Sequence, residues 1–457
     1  MSPNEPAHVA PEEQLAAVAS ITTAQPAEPV GAQTDPLESS TVFGEPTTKV
    51  SKAYIFWMIL ANFGASLAYI VPLAFSLSIR VNQLAPGHQE VLGYVAGTAQ
   101  LLYVLSSPLI GVWSDRFRSR LGRRRPFVIG GALLGLAALL VMALAPNVVV
   151  LALGWALAIL GFGTVQAAIG NLQADRLPEE QRGKVSGLTG LSGQIAPILG
   201  VTIASAFVGN ALLLFLIPGV IGAFLVLPFI FRAKEPDSRR LELPADRLSA
   251  KSVLASYVFD PRKAPDFAWN WLGRFVFFLG LYANTTFSAF FYSQRLSTPV
   301  EKVGQLVAVI GLIGLVAAML GSIGAGFLSD RFRRRKLFTM IGVSLFTVGA
   351  IVEAFAYSLP VLVAGSLLMN LAIAAFSAVD QAIVIAVLPN RAEAGRYMAV
   401  VAFAQKIPSG IAPLLAPLVI GIGSIGGEKN YTLLYLIGGA LAFIGGLIIL
   451  TRVKSVR

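Results

Sequence analysis

The sequence contains no cysteine and only two histidines, His8 and His88. The first absence excludes disulfides and thiolate chemistry. The second leaves too few imidazoles for a histidine-built metal site. No GxxxxGK[ST] phosphate loop occurs, so the chain does not hydrolyse ATP through that motif. Charge is scarce as well: 13% of the 457 residues are Asp, Glu, Lys or Arg, where soluble globular domains have roughly 25%. Hydrophobic residues make up 55%, and the mean hydropathy is +0.72. That balance describes an all-α polytopic membrane protein whose partner is the lipid bilayer. The net charge of +11 sits in short loops beside apolar runs and does not indicate a nucleic-acid partner. No enzymatic activity, metal or cofactor is expected.

Twelve runs approach the ~20 residues that a helix needs to cross about 30 Å of hydrocarbon. They cover 53–79, 91–113, 127–145, 148–173, 185–208 and 211–231, then 267–294, 303–328, 337–357, 360–388, 397–422 and 432–451. Counting basic residues by loop gives 29 on one side and 4 on the other. The positive-inside rule then makes both termini and the central linker cytoplasmic, in a multi-pass protein of the cell (plasma) membrane. Residues 1–50 are rich in Pro, Ala, Thr and Glu, lack a basic start followed by an apolar core, and read as a disordered cytoplasmic tail. The expected division is 1–50 tail, 51–231 first six-helix bundle, 232–266 linker and 267–457 second bundle. A short interfacial helix is expected around 250–259.

The two bundles are expected to be related by duplication. Gly111 to Phe127 reads GVWSDRFRSRLGRRRPF, with six arginines between two apolar runs. Each would cost ~2.5–3.5 kcal/mol in hydrocarbon, so the block is a wet turn between spans. It recurs at Gly326 to Phe338 as GFLSDRFRRRKLF. A second echo pairs Leu177-Pro178, Arg182-Gly183 and Ile195-Ala196-Pro197 with Leu388-Pro389, Gly395-Arg396 and Ile411-Ala412-Pro413. Such internal repeats are typical of secondary transporter folds.

Gly111, Asp115, Arg116, Gly122, Arg123 and Arg124 resemble the signature of the major facilitator superfamily, between its second and third helices. The longer form here, SDR-x-x-SR-x-GRRRPF, resembles the sucrose/proton symporters and their glycoside–pentoside–hexuronide relatives. The resemblance implies two pseudo-symmetric six-helix bundles around a central cavity lined by helices one, four, seven and ten. It also implies a gate in which Asp115 and Arg116, echoed by Asp330 and Arg331, pair across the bundles when the cytoplasmic side is closed. The second copy carries Arg333 where the signature has glycine, which leaves the geometry of that turn open. Asp175, in LQADRLPEEQRG, resembles the acidic end of the fourth helix in sucrose-type symporters, and could equally cap the helix or pair with Arg182. The fifth helix has Pro197 and Gly200 of a glycine–proline antiporter motif, with Ala196 and Val201 in place of glycines.

Polar stripes agree with that cavity. At 100° per residue, Asn62, Ser66, Tyr69 and Ser76 share an arc of about 80° on the first helix. Asn270, Arg274, Asn284, Thr285, Ser288 and Tyr292 share about 100° on the seventh. Asn370, Ser377 and Gln381 share about 40° on the tenth, with Asp380 at the margin. Gln166 and Gln173 align on the fourth. Small polar residues can also serve only to join neighbouring helices.

Three ionisable residues lie well inside spans: Arg274, Asp380 and Lys406. Mutual neutralisation is the default, with Asp380 flanked by the two cations. Asp380 could carry a proton, Arg274 or Lys406 could bind an anionic group, or the set could be a static pair. Glu353, near the outer end of the ninth helix, is expected to reach the interface. The resemblance and the stripes together imply alternating-access transport of a small polar solute, a sugar or glycoside, with proton (cation) symport. Proton-coupled efflux of amphipathic compounds and a non-transporting membrane sensor are the alternatives.

Overall fold

In a computed structural model, residues 48–233, 235, 237–240, 259–390, 393–424 and 428–456 are described. The expected tail up to residue 47 and interfacial helix at 250–258 lie outside them. Among the described residues, eleven helices are long and apolar enough to cross a membrane, and a bent pair makes the twelfth. They are α1 (Lys52–Leu84), α2 (Val91–Arg116), α3 (Arg125–Leu144), α4 (Val148–Arg176), α5 (Glu179–Ser205) and α6 (Ala211–Arg232). In the second half α7a (Pro265–Thr286) and α7b (Ser288–Arg295) are followed by α8 (Val303–Phe332), α9 (Arg335–Ala354), α10 (Leu359–Ala386), α11 (Ala394–Ile420) and α12 (Tyr431–Arg452).

Hydropathy marks the lipid-crossing part of each helix, and several helices continue into water. The fifth begins at Glu179, before the expected 185, because EEQRGK forms its first turns with acids at the positive end of the helix dipole. Two helices depart from regular geometry. Pro72 has no N–H to donate within α1, and Pro72–Ser76 becomes a π turn in which Leu77 N–H reaches Pro72 O. The seventh span, expected to be continuous, bends by 51° between α7a and α7b. No proline causes this. Thr285 and Thr286 donate their hydroxyls to Leu281 O (3.1 Å) and Tyr282 O (2.7 Å), and such back-bonding weakens and bends a helix.

The packing repeats. α1 lies on α5 and α6, and α7a on α11 and α12; α3 lies on α4 and α6, and α9 on α10 and α12. Lipid offers no hydrophobic drive between helices, so close backbone approach takes its place. Gly64 meets Gly222 between α1 and α6, and Gly280 meets Gly438 between α7a and α12. Gly131 meets Gly161 between α3 and α4, and Gly349 meets Gly365 between α9 and α10.

The halves touch along two seams, α2 with α11 and α5 with α8. On the first, Gly93 faces the Pro413 carbonyl and Gly97 faces Gly410. On the second, Gly311 faces Ile198, and Gly304 faces Phe75 and Ser205. All of these lie away from the basic loops. Toward the basic loops α5 is open, with nothing within 4 Å of a Cβ placed on Gly183, Gly187 or Gly190. The cleft between the halves is therefore closed at one end and parted at the basic end.

A β-branched side chain at Gly222 has no room: its Cβ would lie 2.9 Å from that of Ala68 and closer still to Gly64 O. Gly222→Val is expected to destabilise the first half by about 1–3 kcal/mol. The check is the melting temperature of the purified protein, and an unchanged value would mean that α1 and α6 separate freely.

Candidate functional site

One buried ion pair stands at the junction of α7a and α10. Arg274 Nη1 donates to Asp380 Oδ2; Asp380 is 0% exposed and Arg274 9%. Asn270, one turn earlier on α7a, adjoins the same carboxylate. The guanidinium lies 5.3 Å over the Phe278 ring, and Phe277 stacks on Phe376 at 3.7 Å, which fixes the two helices beside the pair. The set is not fully satisfied. Asp380 Oδ1, Asn270 Oδ1 and Arg274 Nε are buried without a hydrogen-bond partner. An orphan carboxylate oxygen in such a place is where a proton can be held.

Lys406 is not part of this group, although the sequence suggested that it flanks Asp380. It is exposed, and among the described residues no carboxylate lies within ion-pair distance of it. Its place on α11 explains why. Lys406, Gly410, Pro413 and Pro417 share a face within about 60°, and that face meets α2 where the cleft is closed. At the level of Lys406 the halves have parted, so its ammonium points into the cleft.

Toward the closed end, polar side chains from both halves converge. Tyr69 Oη of α1 meets Gln100 Oε1 of α2 at 3.4 Å, and Gln405 Nε2 of α11 meets Tyr282 Oη of α7a at 3.4 Å. Tyr69 and Tyr282 are within electrostatic reach of each other across the cleft. Tyr69 also stacks on Trp155, with centroids 6.4 Å apart. Gln100, Tyr282 and Gln405 escaped the sequence reading because single polar residues on apolar helices carry no periodic signal.

The remaining stripe residues divide. Gln166 donates to Ser66 (2.9 Å), Gln173 to Ser186 (2.7 Å), and Asn62 to Thr189 O (2.9 Å) and Ser192 (3.0 Å), linking α1, α4 and α5 within the first half. Ser377 and Gln381 are exposed on α10, and Asn370 donates to Ser366 O at 2.9 Å. Asn284 and Tyr292, expected on the same stripe as Arg274, are turned into the second half. Asn284 is 0% exposed and faces Tyr435 O of α12 at 3.4 Å, while Tyr292 is 6% exposed. The bend after Thr286 breaks the angular count for Tyr292, and Asn284 joins helices through a backbone carbonyl.

The signature loop is organised by Arg124, which is 5% exposed. Its guanidinium bonds Asp115, Asp175 (3.3 Å) and Ser114 (3.0 Å), and Arg123 reaches Asp175 at 2.8 Å. Asp175 therefore pairs with the loop, while Arg182 donates to Leu177 O at 3.2 Å. In the second copy Asp330 pairs with Arg335 at 3.3 Å. Each acid closes within its own half, as fits a cleft parted on this side. Arg116 is the last residue of α2, and Arg331 lies in the last turn of α8. The Arg333 turn is now settled: φ is 52° at Arg333 and 88° at Gly122, so both copies make a left-handed turn. The start of the linker holds the first copy in place. Glu235 accepts from Arg124 N–H (2.9 Å) and packs on Gly122, and Ser238 bonds Phe117 O (3.0 Å) and Ser119 N–H (2.8 Å). Burial raises the Glu235 carboxyl above its ordinary value, against the opposing Arg124 and Arg125 N–H groups.

At the closed end, polar links cross between the halves. Glu90 pairs with Lys429 at 2.8 Å, Gln89 bonds Tyr431, and Asn82 donates to Glu301 at 3.2 Å. Gln294 of α7b holds the Lys429 backbone in place through its O (2.9 Å) and N–H (3.3 Å). These residues lie in loops and helix ends, outside any periodic pattern.

Partial burial acts to raise the Glu90 carboxyl, but bonds from Lys429, its own N–H and His88 outweigh this and hold it below the usual range. The pair thus persists at neutral pH and is lost only as the pH falls through that lowered value. A partly exposed pair is worth about 1 kcal/mol. Lys429→Gln is expected to raise thiol labelling of a cysteine introduced at Leu101, on the α2–α11 seam, by ~2–5-fold. An impermeant reagent added on the closed side reads this, and an unchanged rate would mean that the pair does not hold the halves together.

Comparison with known proteins gives the same architecture. The sequence profile of the Major Facilitator Superfamily matches residues 53–325 and 315–456. The "Proton-associated sugar transporter A" of Mus musculus is 38% identical over 92 residues, 19% of this chain and 12% of that one. The "General alpha-glucoside permease" of Schizosaccharomyces pombe is 32% identical over 117 residues, 24% of this chain and 20% of that one. The matched stretches thus span a small part of those relatives' length. Among solved structures, a D-xylose-proton symporter superposes with a TM-score of 0.67 at 17% identity, covering 89% of this chain and 99% of that one. The nucleoside transporter NupG gives 0.67 at 13% identity, covering 88% and 99%. The chain belongs to the Major Facilitator Superfamily of membrane transporters.

Proposed function

We propose that the protein moves a small polar solute, a sugar or glycoside, across the cell membrane by alternating access, with proton symport. The basic end of the cleft is cytoplasmic in this reading, as are both termini, following the 29-to-4 distribution of basic residues. The rocking bodies are residues 51–231 and 267–457, joined by 232–266.

The observation that carries the proton-coupled reading is the Arg274–Asp380 pair with its orphan carboxylate oxygen. Protonation of Asp380 would release Arg274, and deprotonation would restore the pair. That change of partner alters the α7a–α10 junction, so a proton can bias which end of the cleft is open. For the solute, Tyr69, Gln100, Tyr282 and Gln405 offer hydroxyl and amide groups to a polyol and aromatic faces to a sugar ring. They come from both halves, so a solute bound there would draw the halves together. Lys406 is the cation in the cleft that could take an anionic group on the solute. The names of the mouse and fission-yeast relatives support a sugar over other polar solutes.

Accumulation of a radiolabelled α-glucoside in proteoliposomes with an imposed inward proton gradient tests the reading. Accumulation that collapses with a protonophore is expected. Absence of uptake for all sugars, with resistance to toxic amphiphiles on expression, would favour efflux instead. Asp380→Asn is expected to reduce gradient-driven accumulation at least tenfold while leaving solute exchange in place. Full accumulation by this variant would remove Asp380 as the carrier.

A further inference from the structure

Glu353 was expected to reach the membrane interface, and it does not. It lies in the last turn of α9, is 2% exposed, and points into the second half. A Cβ on Gly365 of α10 would lie 2.6 Å from Glu353 Cγ, so the stem is packed flat on that helix. The carboxyl is hydrogen-bonded to Tyr435 of α12 and Ser366 of α10. Tyr292 of α7b bonds to the same Ser366 and is within electrostatic reach of Glu353.

The groups facing this acid are therefore hydroxyls: Tyr292 from α7b, Ser366 from α10 and Tyr435 from α12. The cation of α7b is engaged elsewhere. Arg295 Nη2 donates to Ala354 O at 2.7 Å and to Thr432, and its guanidinium lies 4.6 Å over Tyr357. Tyr431, one turn from Tyr435 on α12, is bonded to Gln89 of the other half. A bare carboxylate among three hydroxyls, sealed from water and without a cation, is disfavoured. A carboxylic acid carries no charge and can donate to one hydroxyl while accepting from another, so the protonated form fits among them.

We infer that Glu353 is a proton-binding site, filled while the external end of the cleft is closed and exchanged with the external solution when that end opens. The parts that surround it are the parts that must move. α7b is the hinged half of the seventh span, and it stacks on α12 through Phe291 and Tyr435 at 4.2 Å. It also positions Lys429 for the link to Glu90. Swinging α7b outward removes Tyr292 from the enclosure and breaks the external links in one motion. Water then reaches Glu353, and its proton leaves to the external solution; closing the end takes one proton back. An acidic exterior favours closure. This site is separate from Asp380, since Ser366 and Asp380 stand ~21 Å apart along α10 at 1.5 Å per residue.

A proton at Glu353 serves transport only if the proton-coupled reading above holds, but its presence is measured independently. Infrared spectra of the full chain in lipid are expected to show the C=O stretch of a buried carboxylic acid that Glu353→Gln removes and Asp380→Asn retains. In the Leu101→Cys background, external labelling is expected to rise with external pH, and Glu353→Gln should hold it at the acid level throughout. A band that survives Glu353→Gln, or a pH response unchanged by it, would overturn the inference. Should that variant fail to fold, Tyr435→Phe removes one hydrogen bond to the carboxylate form. It should move the labelling midpoint to higher pH, and an unmoved midpoint would overturn the inference equally. Loss of accumulation tests Asp380 alone, so the two readings can fail separately.

Discussion

Lipid cannot hydrogen-bond, and this single constraint orders the structure. Every polar group on an apolar helix must find protein or water. Asn62, Gln166 and Asn284 find other helices, and so act as joints. Tyr69, Tyr282 and Lys406 find the cleft. Asp380 finds one arginine and leaves an oxygen over. Whether a polar residue is a joint or a site thus depends on whether its neighbours can complete it.

The same constraint makes the ends of the helices the places where charge is concentrated and where the halves are controlled. On the basic side, Arg124 gathers Asp115, Asp175 and Ser114, with Glu235 of the linker on its N–H. On the other side, Glu90 and Lys429 bridge the halves directly. One end is held by pairs within a half and the other by pairs between halves. This asymmetry is the electrostatic description of a cleft open at one end only.

Much of the fold was legible because hydropathy and length are strong signals over twenty residues. The duplication was legible because SDRF occurs twice in equivalent loops. Arg333 shows the limit of motif reasoning: the residue type departs from glycine, yet the backbone keeps the left-handed turn, a conformation that costs an L-residue about 1–2 kcal/mol. The break at Phe287 was hidden because Thr285 and Thr286 bend the helix without the proline that would announce it. Once the helix bends, angular counting cannot carry Tyr292 onto the stripe of Arg274. Glu353 was misplaced because a carboxyl near a helix end looks solvent-bound until Gly365 is seen to let it lie flat against α10. Gln100 and Gln405 were missed because only the fold sets them beside Tyr69 and Tyr282.

The α2–α11 seam has a mechanical consequence. Where Gly93 faces a proline carbonyl and Gly97 faces Gly410, backbone meets backbone, and the side chains of Leu414 and Leu101 seat on Gly97 and Gly410. Opening this seam lifts apolar side chains off glycine faces and parts backbone from backbone. The polar links between the halves stand at the rim instead, where protons and solutes have access. A transporter built this way has an apolar bearing and a latch that chemistry can reach.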